Sequence, residues 1–421
     1  MESQQMAFRN WSSHKNWVLF FGVVVISSLF YSRFILSIGM FGWIALSFFE
    51  VTDDKRWRFR FWHRFSGSRP AQQALAAFPL FFLLVGLSLF WSDWSEFGLS
   101  RLRLALPFFG LPLAFLHLPP LKQKDLDFLL SILVFCAALS AIYILFKVFF
   151  FSTDYHLNQG KSLPTPVSHV RYGLLIAISS LTAFNLSYFK SPLFSSSVVR
   201  SIFFILFLSL SMFTVYLSVR TGWVALAAGL GILVFHLGYR LGNRKEVFAL
   251  IVSSIFLFAL SYAFFPTVNE KINYTLNDWQ QLEAGQGWFS SDATRWRSLA
   301  VGGQIFLEHP YLGAGAGDIR EEVNLAFEDR YPKSGKNILP HNQYLYWLAA
   351  YGLLGFLLCI AIVIQPLGFK EGRRKIGHLQ VQSILLLSFL VEATWQSSLG
   401  VGIYVVFTVL YLSNLSDETK S

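Results

Sequence analysis

The stretch NILPHNQYLYWLAAYGLLGF, residues 337–356, decides the fold class, because it is almost continuously apolar from Asn342 onward. A helix that crosses a bilayer core of about 30 Å needs about 20 such residues. The stretch therefore predicts a membrane-spanning helix. His341 comes just before it and directly after Pro340. We therefore expect an imidazole at the boundary between membrane and water.

The composition extends this interpretation to the whole chain of 421 residues. Hydrophobic residues make up 54%, aromatic residues 18% and charged residues only 14%, whereas a soluble chain carries about 25% charge. We predict an all-α polytopic membrane protein that forms a single integral-membrane domain over residues 1–421. The two cysteines, Cys136 and Cys359, lie inside apolar runs. They are predicted to be small buried hydrophobes rather than metal ligands or a disulfide.

Long apolar runs recur along the chain and predict about twelve transmembrane helices. The predicted spans are 17–31, 34–49, 74–90, 102–118, 127–151, 170–189, 200–217, 222–238, 246–264, 344–366, 378–395 and 398–413. No small-residue cleavage site follows the first span, so it is predicted to be an anchor rather than a signal peptide.

Lys and Arg are concentrated in alternate loops, which predicts the orientation of the chain. The basic loops are DDKRWRFRFWHRFSGSR (53–69), LKQKD (121–125), YRLGNRKE (239–246) and FKEGRRKIGH (369–378). The positive-inside rule places them in the cytoplasm together with both termini. The net charge of +10 is then a topology signal. Nucleic-acid binding is disfavoured because the charge is spread over short loops rather than one face.

One loop on the opposite, periplasmic side is long and spans residues 265–343, between the ninth and tenth predicted spans. Its segments TVNEKINYTLNDWQQLEA, DATRWRSLAVGGQIFLEH and DIREEVNLAFEDRYP predict helices, with Asp292 and Asp318 as N-caps. We therefore predict a helical periplasmic loop and no separate soluble domain.

Cationic side chains recur on this same side, where the positive-inside rule leaves them unexplained. They are Arg101, Arg103, His169, Arg171, Arg220, Arg295, Arg297 and His341. Each one alone is compatible with an arginine that extends to lipid headgroups. Together, with helix N-termini among them, they predict a phosphate or diphosphate site that needs no metal.

Three stretches carry a resemblance to a known family. SVRTGWVALAAGLG (218–231), DATRWRSLAVGGQIFLEHPYLGAGAGD (292–318) and HNQYLYWLAAYGLLG (341–355) resemble the signature blocks of the O-antigen ligase and polymerase superfamily. In that family an Arg-Thr/Ser-Gly turn, an Arg-containing helix, a Pro-x-x-Gly-x-Gly stretch and an outward His-Asn occur in this order. Each block alone is weak, and the combination, over roughly residues 210–360, is specific.

The resemblance implies a glycosyltransferase of GT-C-like architecture in the inner membrane of a Gram-negative bacterium. Such enzymes take a polysaccharide from undecaprenyl diphosphate on the periplasmic face and give it to a sugar hydroxyl. For a ligase of lipopolysaccharide biosynthesis, the acceptor is lipid A–core. No cofactor is implied, and membrane lipids are the only other expected partners.

The chemistry of that reaction assigns roles to the candidate residues. The diphosphate leaving group gains negative charge, which cationic side chains stabilise when no metal takes part. The acceptor hydroxyl loses its proton to a base that titrates near neutrality, and His341 suits that role. The predicted diphosphate residues are Arg103, Arg171, Arg220 and Arg295. The predicted supporting residues are Arg101, His169, Asn342 and Glu392.

Several alternatives stay open at the level of sequence. His341 could merely cap a helix. GAGAGD (313–318) is neither a P-loop nor a dinucleotide fingerprint and predicts a close-approach turn, with a possible anion contact through its amides. Lys147 and Glu392 lie about one turn inside their predicted spans. They could pair with one another, or Glu392 could orient His341 or a bound sugar.

Alternative functions stay open as well. A dozen spans also suit a lipid or glycan transporter, although transporters place polar groups near the midplane of repeated halves. An O-antigen polymerase would use the same donor with a second lipid-linked glycan as acceptor. A protein O-oligosaccharyltransferase would use it with a protein acceptor. The sequence identifies neither the sugars, nor the stereochemical outcome, nor the oligomeric state.

Overall fold

The computed structural model describes residues 2–51, 57–59, 70–150, 163–189, 191–283, 291–332, 338–368 and 375–415. The predicted basic loops 53–69 and 369–378 fall largely outside this part of the chain, and so do residues 416–421.

The described chain is almost entirely helical. Its first half contains α1 (Glu2–Ser28), α2 (Arg33–Ser47), α3 (Pro70–Ala77), α4 (Pro79–Ser88), α5 (Ser95–His117), α6 (Gln123–Phe150), α7 (His169–Tyr188) and α8 (Ser197–Tyr216). Its second half contains α9 (Arg220–Phe235), α10 (Arg244–Phe264), α11 (Pro266–Glu283), α12 (Ser291–Glu308), α13 (Ile319–Arg330), α14 (Gln343–Ile364), α15 (Lys375–Ser388) and α16 (Ser398–Leu415).

Eight of the described helical segments are long and apolar enough to cross a membrane. Three shorter apolar helices follow the same pattern, at Arg33–Ser47, Ile376–Ser388 and Ser398–Ser413, and α1 runs through the first predicted span. The chain is thus a polytopic, all-α membrane protein, as predicted. The number of twelve spans and the GT-C-like architecture stay predictions.

The described residues also contain one short antiparallel pair of strands. It joins β1 (Phe49–Val51) to β2 (Trp57–Phe59), with Glu50 opposite Arg58. Aromatic and β-branched residues favour such extended pairs. The pair lies at the predicted first basic loop.

The core of the bundle is built around α7 and α16, both of which are buried along most of their length. α7 packs against α6, α8 and α9, and α16 packs against α5 and α15. Aromatic rings fill the space beside them: the centroid of Trp395 lies 4.4 Å from Phe108 and 4.9 Å from both Trp347 and Tyr404. Aromatic pairs prefer edge-on and offset arrangements with ring centroids about 4.5–7 Å apart, and such pairs stabilise a core beyond the area they bury.

α14 is not the continuous helix that the apolar run 344–366 predicted. Gly352 interrupts it with φ 64° and ψ −169°, a conformation that is open to glycine alone. The segment 309–318 supplies partners for the backbone groups that this break frees. The bonds run from Ala314 N to Ala349 O (2.9 Å), Gly315 N to Ala350 O (2.9 Å), Leu353 N to Pro310 O (2.8 Å) and Leu354 N to Tyr311 O (3.3 Å). Irregular backbone at membrane depth requires such partners.

The glycine-rich GAGAGD stretch is therefore a structural element. Its amides bond within the protein, because those of Ala316 and Gly317 donate to Ser88 Oγ and Ser92 Oγ at 3.2 Å. The amide of Gly313 donates to the carbonyl of His309. The interpretation of these amides as an anion contact is wrong.

Asp318 occupies the N-cap position of α13, but its side chain makes no capping hydrogen bond. Its carboxylate accepts instead from the amides of Asp93 and Trp94, at 2.9 and 2.8 Å. The predicted N-cap position is therefore confirmed, but the carboxylate does not cap the helix and instead ties α13 to the start of α5. The side chain of the other predicted cap, Asp292, lies outside the described part of the chain.

Candidate active site

Three side chains from three separate elements form one hydrogen-bonded chain at the end of the bundle where α7 and α14 begin. Nδ1 of His341 lies 3.2 Å from Oε2 of Glu392. Nη2 of Arg171 lies 3.1 Å from Oε1 of the same carboxylate. Nη1 of Arg171 donates to Ser168 Oγ at 3.1 Å. The two oxygens of Glu392 thus bind a guanidinium on one side and an imidazole on the other.

Arg171 and Glu392 are more deeply buried than His341. Arg171 and Glu392 are 12% and 13% exposed, whereas His341 is 29% exposed. Burial raises the pKa of Glu392, but the hydrogen bond from His341 and the charges of Arg171 and Arg295 outweigh it and lower the pKa overall. A carboxylate that is ionised can only accept, so Nδ1 of His341 carries the proton in this hydrogen bond. Nε2 is then the basic nitrogen of the neutral ring.

Glu392 does not lie inside a helix, although the predicted span 378–395 would place it there. α15 ends at Ser388, and Glu392 belongs to the non-helical segment that leads to α16. Gln343 holds this segment by two hydrogen bonds. Its backbone N–H donates to the carbonyl of Phe389 at 2.7 Å, and its side-chain Oε1 accepts from the backbone N–H of Trp395 at 2.7 Å. Gln343 is fully buried, and it was missing from the predicted site.

Asn342 also holds this segment, and its side chain is fully engaged in doing so. Its Oδ1 accepts from the amide of Leu345 at 2.9 Å, which caps α14. Its Nδ2 donates to the carbonyl of Leu390 at 3.0 Å. The predicted supporting residue Asn342 therefore positions His341 and Glu392 relative to each other.

Arg101 anchors the far end of the same segment. Its Nη1 donates to Oε1 of Gln396 at 3.1 Å, and its guanidinium lies over the ring of Phe97 at 4.6 Å. Arg101 thus contacts a residue, Gln396, that follows Glu392 by four positions in the chain.

Ser298 links α12 to His341. Its Oγ accepts from the amide of His341 at 3.1 Å and donates to the carbonyl of Arg295 at 2.6 Å. Ser298 is fully buried, and sequence reasoning did not find it. Because both bonds end on one hydroxyl, the backbones of His341 and Arg295 are held close together.

Several cations act electrostatically on Glu392 and on the side chains next to it. Arg295 acts electrostatically on both Glu392 and His169. Lys271 of α11 acts on His169 as well, and Arg33 of α2 acts on Arg171. Lys271 and Arg33 were not predicted. We call Arg33, Arg171, Lys271 and Arg295 the cation cluster, and His169 and His341 lie beside it. Positive charge gathered in this way favours an anionic ligand.

Arg220 begins α9, and the packing of α9 on α7 brings it to the same end of the bundle. The two helices approach closely at Gly173 and Gly222: a Cβ on Gly222 would lie 3.4 Å from the Cα of Gly173. Gly173 lies one turn from His169. The close crossing therefore sets the start of α9 beside the start of α7.

Arg103, which was predicted with the diphosphate residues, lies on the face of α5 opposite Arg101. It is exposed and lines an apolar groove between α2 and α5. Two residues along a helix are separated by about 200°, so Arg103 and Arg101 project on opposite sides of α5. Arg297, the neighbour of Trp296, lies over the ring of Tyr331 at 5.6 Å.

The predicted pairing of Lys147 with Glu392 does not occur among the described residues. Glu392 binds Arg171 and His341, and Lys147, in the last turn of α6, lies 5.0 Å from the ring centroid of Tyr143. Of the alternatives for Glu392, the geometry matches the one in which it orients His341.

One group of described residues has the spacing of metal ligands. Side-chain atoms of Glu308, His309 and Glu322 lie within 4.8 Å of one another. The first two are exposed, and the group lies about 20 Å along α12 from Arg295. It is separate from the cation cluster.

A family model matches part of the chain. Residues 202–360 match a family model described as O-antigen ligase, which confirms the resemblance. The matched segment contains Arg220, Arg295, Ser298 and His341. It begins after Arg171 and ends before Glu392. No curated protein matched the chain.

Proposed function

Because residues 202–360 match a family model described as O-antigen ligase, a family of glycosyltransferase-like membrane enzymes, we propose that this multi-pass membrane protein is an O-antigen ligase. It transfers a polysaccharide from undecaprenyl diphosphate to a sugar hydroxyl of lipid A–core. The reaction takes place on the periplasmic face of the inner membrane.

The observation that carries the proposal is the chain from Arg171 through Glu392 to His341, set among the cation cluster. A base that is oriented by a carboxylate, beside a concentration of positive charge, matches the two needs of this transfer. One need is to remove a proton from a hydroxyl, and the other is to stabilise an anionic leaving group.

His341 acts as the general base. The acceptor hydroxyl attacks the anomeric carbon of the donor, and its proton passes to Nε2 of His341. Glu392 holds Nδ1–H by the 3.2 Å hydrogen bond, so it keeps the ring oriented and stabilises the imidazolium that forms. A role of this kind needs the ionised carboxylate, which Arg171 helps to maintain.

The leaving group is the lipid diphosphate, which takes the electron pair of the broken carbon–oxygen bond. Arg295 and Arg220 stabilise it, because a planar guanidinium can bind two phosphate oxygens at once. Arg171 is largely buried and already donates to Glu392 and Ser168. We therefore assign Arg171 the role of supporting Glu392. Lys271 adds positive charge that stabilises the diphosphate.

The experiment that tests the function is deletion of the protein in its host, followed by electrophoresis of the lipopolysaccharide. Loss of all polymer-capped species, with lipid-linked polymer accumulating, is the expected result. Complementation with His341→Gln, matched for membrane level, should leave the defect in place. Capping by a single repeat would indicate a polymerase instead. Loss of lipid-linked polymer from the periplasmic face would indicate a transporter.

A further inference from the structure

An apolar groove of about 470 Å³ runs between α2 and α5. Its walls carry Phe41, Ile44, Leu106, Phe109 and other apolar side chains. Along α5 it reaches from Arg103 to His117, which is about 21 Å at the rise of an α-helix. One leaflet of a bilayer core is only about 15 Å deep, half of about 30 Å. The groove is therefore longer than a leaflet.

The mouth of the groove carries positive charge. Arg103 lies in its wall one helical turn above Leu106 and Pro107. Arg103 is the one Lys or Arg among the residues of that wall, and the remaining length is apolar apart from Ser37, Ser47 and His117. A groove with a cation at one end and apolar walls along the rest fits a lipid with an anionic head.

The same mouth opens beside the candidate active site. α2 begins at Arg33, one turn from Ser37 of the groove wall, and Arg33 lies close enough to Arg171 for their charges to repel. Arg101, on the face of α5 opposite the groove, contacts Gln396, four residues after Glu392. The α2 wall of the groove thus begins beside the cation cluster.

This position discriminates between the lipids of the two substrates. In the donor, the lipid is joined directly to the diphosphate, so its tail must enter the membrane next to the cation cluster. In the acceptor, an oligosaccharide separates the reacting hydroxyl from the lipid, so its acyl chains need no groove at that place. The length of the groove also exceeds one leaflet, which suits a long polyprenyl chain better than an acyl chain.

We infer that the groove between α2 and α5 binds the polyprenyl tail of the lipid-linked donor, with Arg103 on a phosphate oxygen at its mouth. This inference rests on the proposed function for the identity of the donor. It gives Arg103 a role in donor binding that is separate from stabilisation of the leaving group by Arg295.

Photo-crosslinking of the full chain tests the inference without any need for turnover. A benzophenone amino acid replaces Phe109 in the groove or Phe135, an exposed residue of α6 outside it. The protein is placed in phospholipid nanodiscs with undecaprenyl diphosphate as probe. We expect the undecaprenyl adduct at position 109 to exceed that at position 135 at least about tenfold. Equal labelling, phospholipid adducts only, or preferential labelling by added lipid A–core would overturn the inference.

Turnover provides the second readout. Ser37→Trp should obstruct the groove, whereas Ile38→Trp, the next exposed residue of the same helix, should not. We expect Ser37→Trp to raise KM for the undecaprenyl-linked donor at least about tenfold, with kcat nearly unchanged. A donor with a short prenyl tail should be used equally by both variants. An equal KM for the long-tailed donor in both would overturn the inference. Absence of ligation in the wild type, with the adduct at position 109 retained, would contradict the proposed function and leave the groove assignment standing.

Discussion

Nδ1 of His341 and Oε2 of Glu392 lie 3.2 Å apart, although 51 residues separate them in the chain. The contact exists because α15 ends before Glu392 and because Asn342 and Gln343 hold the following segment against the start of α14. The same carboxylate binds Arg171. The orientation of the imidazole therefore depends on how α7, α14 and the segment after α15 pack together.

Replacement of Glu392 by Gln tests this dependence. We expect turnover to fall at least about tenfold, because the neutral amide neither stabilises the imidazolium nor selects the tautomer. Binding of the lipid-linked donor should be retained. Measurement of kcat and donor Kd on the purified variant provides the check.

Stability provides the control for that variant. Removal of one partner from a buried ion pair is destabilising, whereas replacement of both by apolar residues is often neutral. The pair Arg171→Met with Glu392→Leu should therefore recover the unfolding temperature without recovering turnover. Recovery of turnover as well would mean that Glu392 serves only the fold.

Arg295→Lys should reduce kcat/KM at least about tenfold, because a point charge does not reproduce two-point binding of a diphosphate. Arg330→Lys, in the last turn of α13, is the matched control and should be silent. Arg220→Lys should behave like Arg295→Lys. Steady-state kinetics in the presence of a chelator should give the same values. A strict requirement for a divalent metal would contradict the role given to the arginines.

Gly352→Ala should lower the free energy of unfolding by roughly 1–3 kcal/mol, because φ 64° and ψ −169° are strained for any residue with a Cβ. An added Cβ would also meet the backbone of Tyr311. Gly231→Ala is the matched control, since a Cβ on that residue of α9 meets nothing within 4 Å. Thermal unfolding in detergent compares the two, and equal midpoints would refute the strain argument.

Acid should weaken the protein through Glu392. Its pKa is lowered in the folded state, so its contribution to stability is fully present above the unfolded value of about 4.3. The contribution is lost as the pH falls below that value and through the folded pKa. The difference in unfolding free energy between wild type and Glu392→Gln should therefore shrink as the pH falls below about 4.3. A difference that grows in that acid range would contradict the sign of the shift.

The sequence predicted the helical membrane class, the resemblance to the O-antigen ligase family and the basic side chains at the starts of α7, α12 and α14, because apolar runs and basic helix ends are local patterns. It did not predict the break at Gly352, because the signal is a single glycine within an apolar run. Its explanation lies about 40 residues earlier, in the segment 309–318 that supplies the missing backbone partners.

The residues that support the site were predicted less well, because their positions also depend on contacts between distant parts of the chain. Ser298, Lys271 and Arg33 carry no local signature, and each acquires its place only when helices pack. Sequence position grouped Arg103 with Arg101, but helical geometry directs the two side chains to opposite sides of α5.

The central claim is that His341 accepts the proton of the acceptor hydroxyl while the arginines hold the diphosphate. The most direct test compares donor binding with turnover in purified His341→Gln. The amide keeps the hydrogen-bonding size of the ring and does not take up a proton near neutral pH. We predict that donor Kd is unchanged while kcat falls by roughly a hundredfold to ten-thousandfold, the contribution of a general base. Retained turnover would contradict the claim and make His341 a structural residue at the start of α14, and lost donor binding would place it in the phosphate site instead.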